Sequence, residues 1–342
     1  MKRTPICFVF LAVLLAGLFA GDILLGSVGL SAGDIWRALA GRAAEGAEGE
    51  LARSLVRSFR LPKAVVAVAA GAALSASGLQ MQTLFRNPLA GPYVLGVSSG
   101  ASLGVSLFLL GLPLLGASGA TEAVRDLGTV GSAWVGAAAI LIVVMAVSAR
   151  IKDIMAVLIL GMMFGSAATA FVDILQFLSP EGAVKSFVVW TMGSLGGVSA
   201  DQLRILVPAV VAGLVLSVWL IKPLNLLLLG ESYARTMGLR VKLVRGVIML
   251  STILLAGSVT AFCGPIGFIG IAVPHIARML LGDADHRVLM PASMLLGAVV
   301  MLGCDIISQM PGSDMVLPIN TISALLGIPV VVIVVVRNRK FF

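Results

Sequence analysis

The chain alternates long uncharged apolar runs with short polar stretches, and the lengths of those runs predict membrane-crossing helices. Ala64–Phe85, Leu127–Ala149, Ile154–Val172, Ile205–Ile221 and Val288–Cys304 carry no charged residue. Each is close to the ~20 residues that a helix needs to cross a hydrocarbon core of about 30 Å. Ile6–Ala20 follows the basic Lys2-Arg3 pair. It reads as a retained first span rather than a signal peptide, because more spans follow and no small-x-small cleavage site stands out. Asn87–Thr121 opens on Pro88, Gly91 and Pro92, which places its helix start near Tyr93. Gly246–Ala277 is too long for one straight crossing, and Cys263-Gly264-Pro265-Ile266-Gly267 divides it into a full span and a short returning helix. Met315–Val336 supplies a last crossing. Ala183–Val198, Gly-rich and interrupted by Lys185, reads as a half-buried or surface helix, and Ser31-Ala32-Gly33-Asp34 as the start of an interfacial one. The pattern predicts an all-α integral membrane protein of about ten transmembrane helices.

Composition sharpens this. The chain is 59% hydrophobic and only 12% charged, with mean hydropathy +1.09, which excludes a soluble globular domain. No linker or composition shift divides it, so residues 1–342 form a single transmembrane domain. The net charge of +8 does not signal nucleic acid, because the cations cluster between apolar spans, at lipid head groups. An even number of crossings puts both termini on one side. Lys2, Arg3, Arg337, Arg339 and Lys340 make both ends basic, and the positive-inside rule makes that side cytoplasmic. Cys7, Cys263 and Cys304 lie in separate apolar stretches without metal-ligand spacing.

One polar island breaks the apolar pattern, Leu224–Arg245, on the predicted cytoplasmic side. Gly230-Glu231 can open a short helix, with an acidic residue suited to its N-terminus. Glu231 and Arg235 are four apart, in the order that favours pairing. Gly238 can end the helix, and Ala234 is small enough for close seating against a partner. The segment reads as an amphipathic helix displayed on one membrane face, or as an ordinary solvated loop. On the opposite face Arg53, Arg57 and Arg60 share a helical side, with Lys63 following. They suit anionic head groups, or an acidic soluble partner.

Missing chemistry narrows the function. The sequence has no GxxxxGK[ST] loop, no HExxH and no CxxC. Gly96-Val97-Ser98-Ser99-Gly100 fits GxSxG by letter, but lies in an apolar span rather than at a strand-to-helix turn. His275, after Pro274 in an apolar helix, reads as a hydrogen-bonded packing residue. Asp173 and Asp305 lie near span ends, whereas an ion-coupled carrier is expected to hold charge nearer the midplane.

Arg60-Leu61-Pro62-Lys63, Gly71-Ala72-Ala73-Leu74, Ser77-Gly78, Gln80, Gln82, Arg86-Asn87-Pro88-Leu89-Ala90 and Leu95-Gly96 resemble the FecCD family. So do Trp190-Thr191-Met192-Gly193-Ser194, Leu229-Gly230-Glu231 with Ala234 and Gly238, Gly264–Gly270 with Pro274-His275, Leu317-Pro318 and Gly327-Ile328-Pro329. These are permease subunits of ABC importers for ferric siderophores, haem and vitamin B12. The resemblance implies a vitamin B12-permease-like fold in a bacterial inner membrane, paired with a second copy. It implies two cytoplasmic ATPase subunits that bind ATP and Mg, no cofactor on this chain, and an extracytoplasmic substrate-binding protein. It makes the island a coupling helix through Gly230, Glu231, Ala234, Arg235 and Gly238, with Arg86, Asn87 and Pro88 nearby. It places an inner gate at Lys152, Asp153, Ile154 and Met155, and binding-protein docking at Arg57, Arg60 and Lys63. Two positions depart from the family pattern, Gln309 where a basic residue is common and Asn320 where glycine is usual. The expected cargo is an iron chelate, with vitamin B12 as the alternative. An ion-coupled carrier and a membrane-embedded enzyme are the competing classes.

Overall fold

The computed structural model describes residues 3–26, 29–41, 47–114, 122–148, 150–151, 153–309 and 315–337, and among them every regular element is helical. In chain order these are α1 (Arg3–Leu24), α2 (Ala32–Leu39), α3 (Glu48–Leu84), α4 (Val97–Leu114), α5 (Glu122–Ser148), α6 (Ile154–Leu178) and α7 (Glu181–Met192). They continue with α8 (Ala200–Trp219), α9 (Ile221–Leu228), α10 (Glu231–Thr236), α11 (Val241–Cys263), α12 (Ile269–Leu281), α13 (His286–Ser308) and α14 (Ile319–Arg337). Eight of them are long and apolar enough to cross a membrane: α1, α3, α4, α5, α6, α8, α11 and α13. α12 and α14 are shorter apolar helices, so eight of the described helices have the length of a crossing where the sequence pattern predicts about ten. Within Ala183–Val198, expected as a half-buried or surface helix, the helix α7 ends at Met192, is too short to be a crossing and buries Phe187.

The main departure is α3, which begins well before Ala64. Pro62 has no N–H to give the carbonyl one turn back, and the wider π-helical turn Leu55–Arg60 directly before it accommodates the lost bond. The helix therefore runs on through Pro62 rather than starting after it.

α3 is the central element, packed against α13, α12 and α8. Between membrane helices the hydrophobic effect gives little attraction, so close packing of small residues holds them together. A methyl group on Gly71 would overlap the Gly297 carbonyl of α13, and one on Gly78 would overlap the Gly270 carbonyl of α12. The second layer is built alike: Gly104 of α4 abuts the Ser132 carbonyl of α5, and Gly136 abuts Gly100. Polar groups on α3 find partners across helices. Gln80 donates to Ser217 of α8 at 2.5 Å and Ser251 of α11 at 3.1 Å. Gln82 accepts from Arg278 of α12 at 2.7 Å.

Candidate functional site

The island folds as three pieces. Its start, in α9, is clamped to the α12–α13 turn by Asn225. The amide donates to Asp285 at 2.6 Å and accepts from the His286 backbone at 2.9 Å. The backbone N–H of Arg287 and the Asn225 amide together hold the Asp285 carboxyl below the usual carboxylate range. The island's end is the first turn of α11. Between them α10 is a six-residue helix, bracketed as expected by Gly230 at φ 104° and Gly238 at φ 83°. Both values lie where a side chain is strained and glycine is not.

α10 is tied to the following span and has Arg86 beside Gly230 at its start. Glu231 bonds Arg235 at 3.3 Å and also Arg245 of α11 at 2.6 Å, with the Arg245 side chain only 10% exposed. The pair expected on the surface is thus one half of a bridge that ties α10 to the following span. On the other side the Arg86 guanidinium lies 3.8 Å from where a Cβ on Gly230 would stand. Arg86 itself takes φ 48°. It is held there by a turn in which Asn87 Oδ1 accepts from the Leu89 N–H at 2.9 Å and the Pro88 carbonyl meets His275 Nε2 at 2.7 Å. Arg86, Asn87, Pro88 and the island are therefore brought together, and His275 is the hydrogen-bonded packing residue expected.

Ala234 needs a correction. It is fully buried inside its own subunit, so its close seating occurs within the chain rather than against a partner. Exposed instead are Tyr233 of α10, at 50%, and Met237, the residue that caps its C-terminus, at 59%. Sequence reasoning missed both, although two large apolar residues four apart on a polar helix are a readable signal.

At the gate turn, Asp153 Oδ1 caps α6 by accepting from the Met155 N–H at 2.9 Å. Ile154 packs on the core and Met155 is exposed, while Lys152 lies outside the described residues. The neighbouring Arg150 and Ile151 line one cavity with Arg235, Arg240 and Arg245, so the turn and the island adjoin.

At the opposite end of α3, the basic patch is engaged internally. Arg57 donates to the carbonyls of Ala38 and Leu39, both at 2.9 Å. Arg60 donates to those of Ile23 at 2.9 Å and Leu24 at 3.2 Å. Each arginine thus satisfies the last carbonyls of a helix, α2 or α1, where positive charge also suits the dipole. Lys63 pairs at 3.1 Å with Asp305, which is almost completely buried. Gln309 then donates both to Asp305 at 3.1 Å and to buried Asp22 of α1 at 2.8 Å. This knot went unread, although two lone acids in apolar runs required partners. The second departure also has a place: Asn320 Oδ1 accepts from the Gly267 N–H at 3.0 Å and pins the loop before α12.

The FecCD transport family matches residues 11–337. The chain belongs to the FecCD transport family. Among its relatives, this FecCD chain is 37% identical to the vitamin B12 import system permease protein BtuC of Klebsiella pneumoniae, over 86% of this chain and 85% of that one. It is 32% identical to the hemin transport system permease protein HmuU of Yersinia pestis, over 97% and 95%. Its fold is similar to the solved structure of an inward-facing putative metal-chelate type ABC transporter, with TM-score 0.81 and 27% identity, covering 98% and 99% of the two chains. It is a membrane-spanning permease subunit of an ABC importer.

Proposed function

We propose that this permease moves an iron chelate, a ferric siderophore or haem, from a binding protein into the cytoplasm, driven by two ATPase subunits seated on α10. The observation that carries the drive is the geometry of α10. It is short, glycine-bounded, bridged to α11 through Glu231–Arg245, and leaves Tyr233 and its C-terminal cap Met237 exposed. Such a helix can pass a partner's displacement to a span without bending. The same reading puts the island and both termini in the cytoplasm, pairs the chain with a second copy, and gives ATP and Mg to the ATPase. Vitamin B12 is the second reading for the cargo, favoured by the 37% identity to a B12 permease. Docking of the binding protein falls to the face of Arg57, whose side chain stays exposed although it caps α2.

The test is reconstitution in proteoliposomes with the cognate ATPase and binding protein, supplying ferric siderophores, haem and cobalamin separately. The chain alone should hydrolyse no ATP, and the two-plus-two complex should take up one cargo class in an ATP-dependent way. Uptake that survives loss of ATP hydrolysis but collapses with the ion gradient would overturn the reading.

A further inference from the structure

The geometry points to an anionic phospholipid site in the cavity between the α5–α6 turn and the start of α11. The cavity holds about 650 Å³, within the range of ordinary ligand sites. Its rim carries five cations, Arg150, Arg235, Arg240, Lys242 and Arg245, and among the described residues no acidic side chain lines it. Glu231, the acid that reaches these groups, is shared between Arg235 and Arg245, so most of the positive charge is left uncompensated.

The deepest cation is the informative one. Arg245 is 8% exposed. One of its guanidinium nitrogens holds Glu231 at 2.6 Å, while its buried Nε–H has no hydrogen-bond partner. A buried unsatisfied donor on a charged group is costly, and a phosphate oxygen would satisfy it with a charge-assisted bond. The rest of the wall is apolar, with Met145 near the end of α5 and Val241 and Met249 in the first three turns of α11. Cationic rim over apolar floor, at the ends of two spans, matches a phosphodiester head group with acyl chains descending beside it. A soluble anion would use the rim and leave the floor unfilled. A docked protein surface would meet the exposed Tyr233 and Met237, which do not line the cavity. The cavity adjoins α10 and the gate turn, but the lipid assignment does not depend on the cargo.

The experiment uses delipidated full-length chain in detergent, titrated with dioleoyl-phosphatidylglycerol, dioleoyl-phosphatidylcholine or inorganic phosphate. Native mass spectrometry reads retained lipid, and thermal unfolding reads stabilisation. One phosphatidylglycerol per chain should be retained in preference to phosphatidylcholine. The triple variant Arg150→Gln/Arg240→Gln/Lys242→Gln changes exposed side chains and leaves Arg245 in place to hold Glu231. It should weaken phosphatidylglycerol retention by about 10- to 100-fold while keeping the wild-type circular dichroism spectrum. Equal retention of the two lipids overturns the proposal. So does inorganic phosphate that stabilises the chain as well as phosphatidylglycerol does, which would mark a free-anion site. Unchanged lipid retention in the triple variant, with loss of ATPase assembly, would instead assign the cavity to the protein partner.

Discussion

The two basic regions of this permease use the same residue types in opposite ways. On the face of α3's N-terminal end, Arg57 and Arg60 close the C-termini of α2 and α1, and Lys63 neutralises a buried aspartate. On the island face, Arg235 and Arg245 share a single carboxylate, and Arg240 and Lys242 stay exposed around an open cavity. The first region is a set of fastenings and the second is a surface. What separates them is whether the chain's own carbonyls and carboxylates meet the cations, which depends on helix ends distant in sequence.

The comparison can be broken most sharply at Lys63. Lys63→Met leaves the buried Asp305 unpaired and should cost about 3–5 kcal/mol, the range for breaking a buried pair from one side. Reversible unfolding in mixed detergent micelles reads this, and Lys63→Met/Asp305→Leu should recover much of the loss. A single variant within about 0.5 kcal/mol of wild type would mean that the knot is hydrated and surface-like. On the island side, Glu231→Gln should cost about 1.5–3 kcal/mol, because a charged hydrogen bond to a nearly buried arginine is lost. Ala234→Trp forces a large ring into a filled site and should cost about 1–3 kcal/mol, with ATPase assembly failing as a secondary consequence. The close seating first expected against a partner would have left stability untouched, so measuring folding and assembly separately decides between the two.

Smaller effects sharpen the contrast. Arg57→Ala removes a helix cap worth about 0.3–1 kcal/mol. If its exposed side chain also steers an acidic binding protein, capture should slow at low salt and the difference should vanish as the Debye length shrinks below about 8 Å. Tyr233→Ala and Met237→Ala should change stability by no more than about 0.5 kcal/mol yet weaken ATPase binding in a pull-down or fluorescence titration. Unchanged affinity would show that α10 is not the seat.

Much of the architecture was legible because the membrane imposes run lengths: an uncharged stretch of the right length has few folds open to it. The glycines that bracket α10 were legible for a similar reason, since positive φ suits few residues. Partners distant in sequence were not. Nothing local to Gln309 shows that it bridges Asp22 and Asp305, and nothing near Asn320 shows that it holds Gly267. Both positions looked like gaps in a family pattern, and both are occupied contacts. Ala234 shows the converse: its small size correctly marked a close approach, but size alone cannot say which surface does the approaching.

The glycine contacts along α3 have a mechanical consequence. Where Gly71 meets Gly297 and Gly78 meets Gly270 backbone to backbone, a slide of one residue would drive a Cβ into a peptide group. Helices joined in this way behave like a keyed shaft, able to tilt together but not to shift register. Spin labels on α3 and α13 should therefore keep one distance through the nucleotide cycle, and a change of several ångströms between them would contradict this. Any working stroke would then lie between helices that lack such backbone-to-backbone keys. Import would proceed by rocking of an unyielding block against softer neighbours.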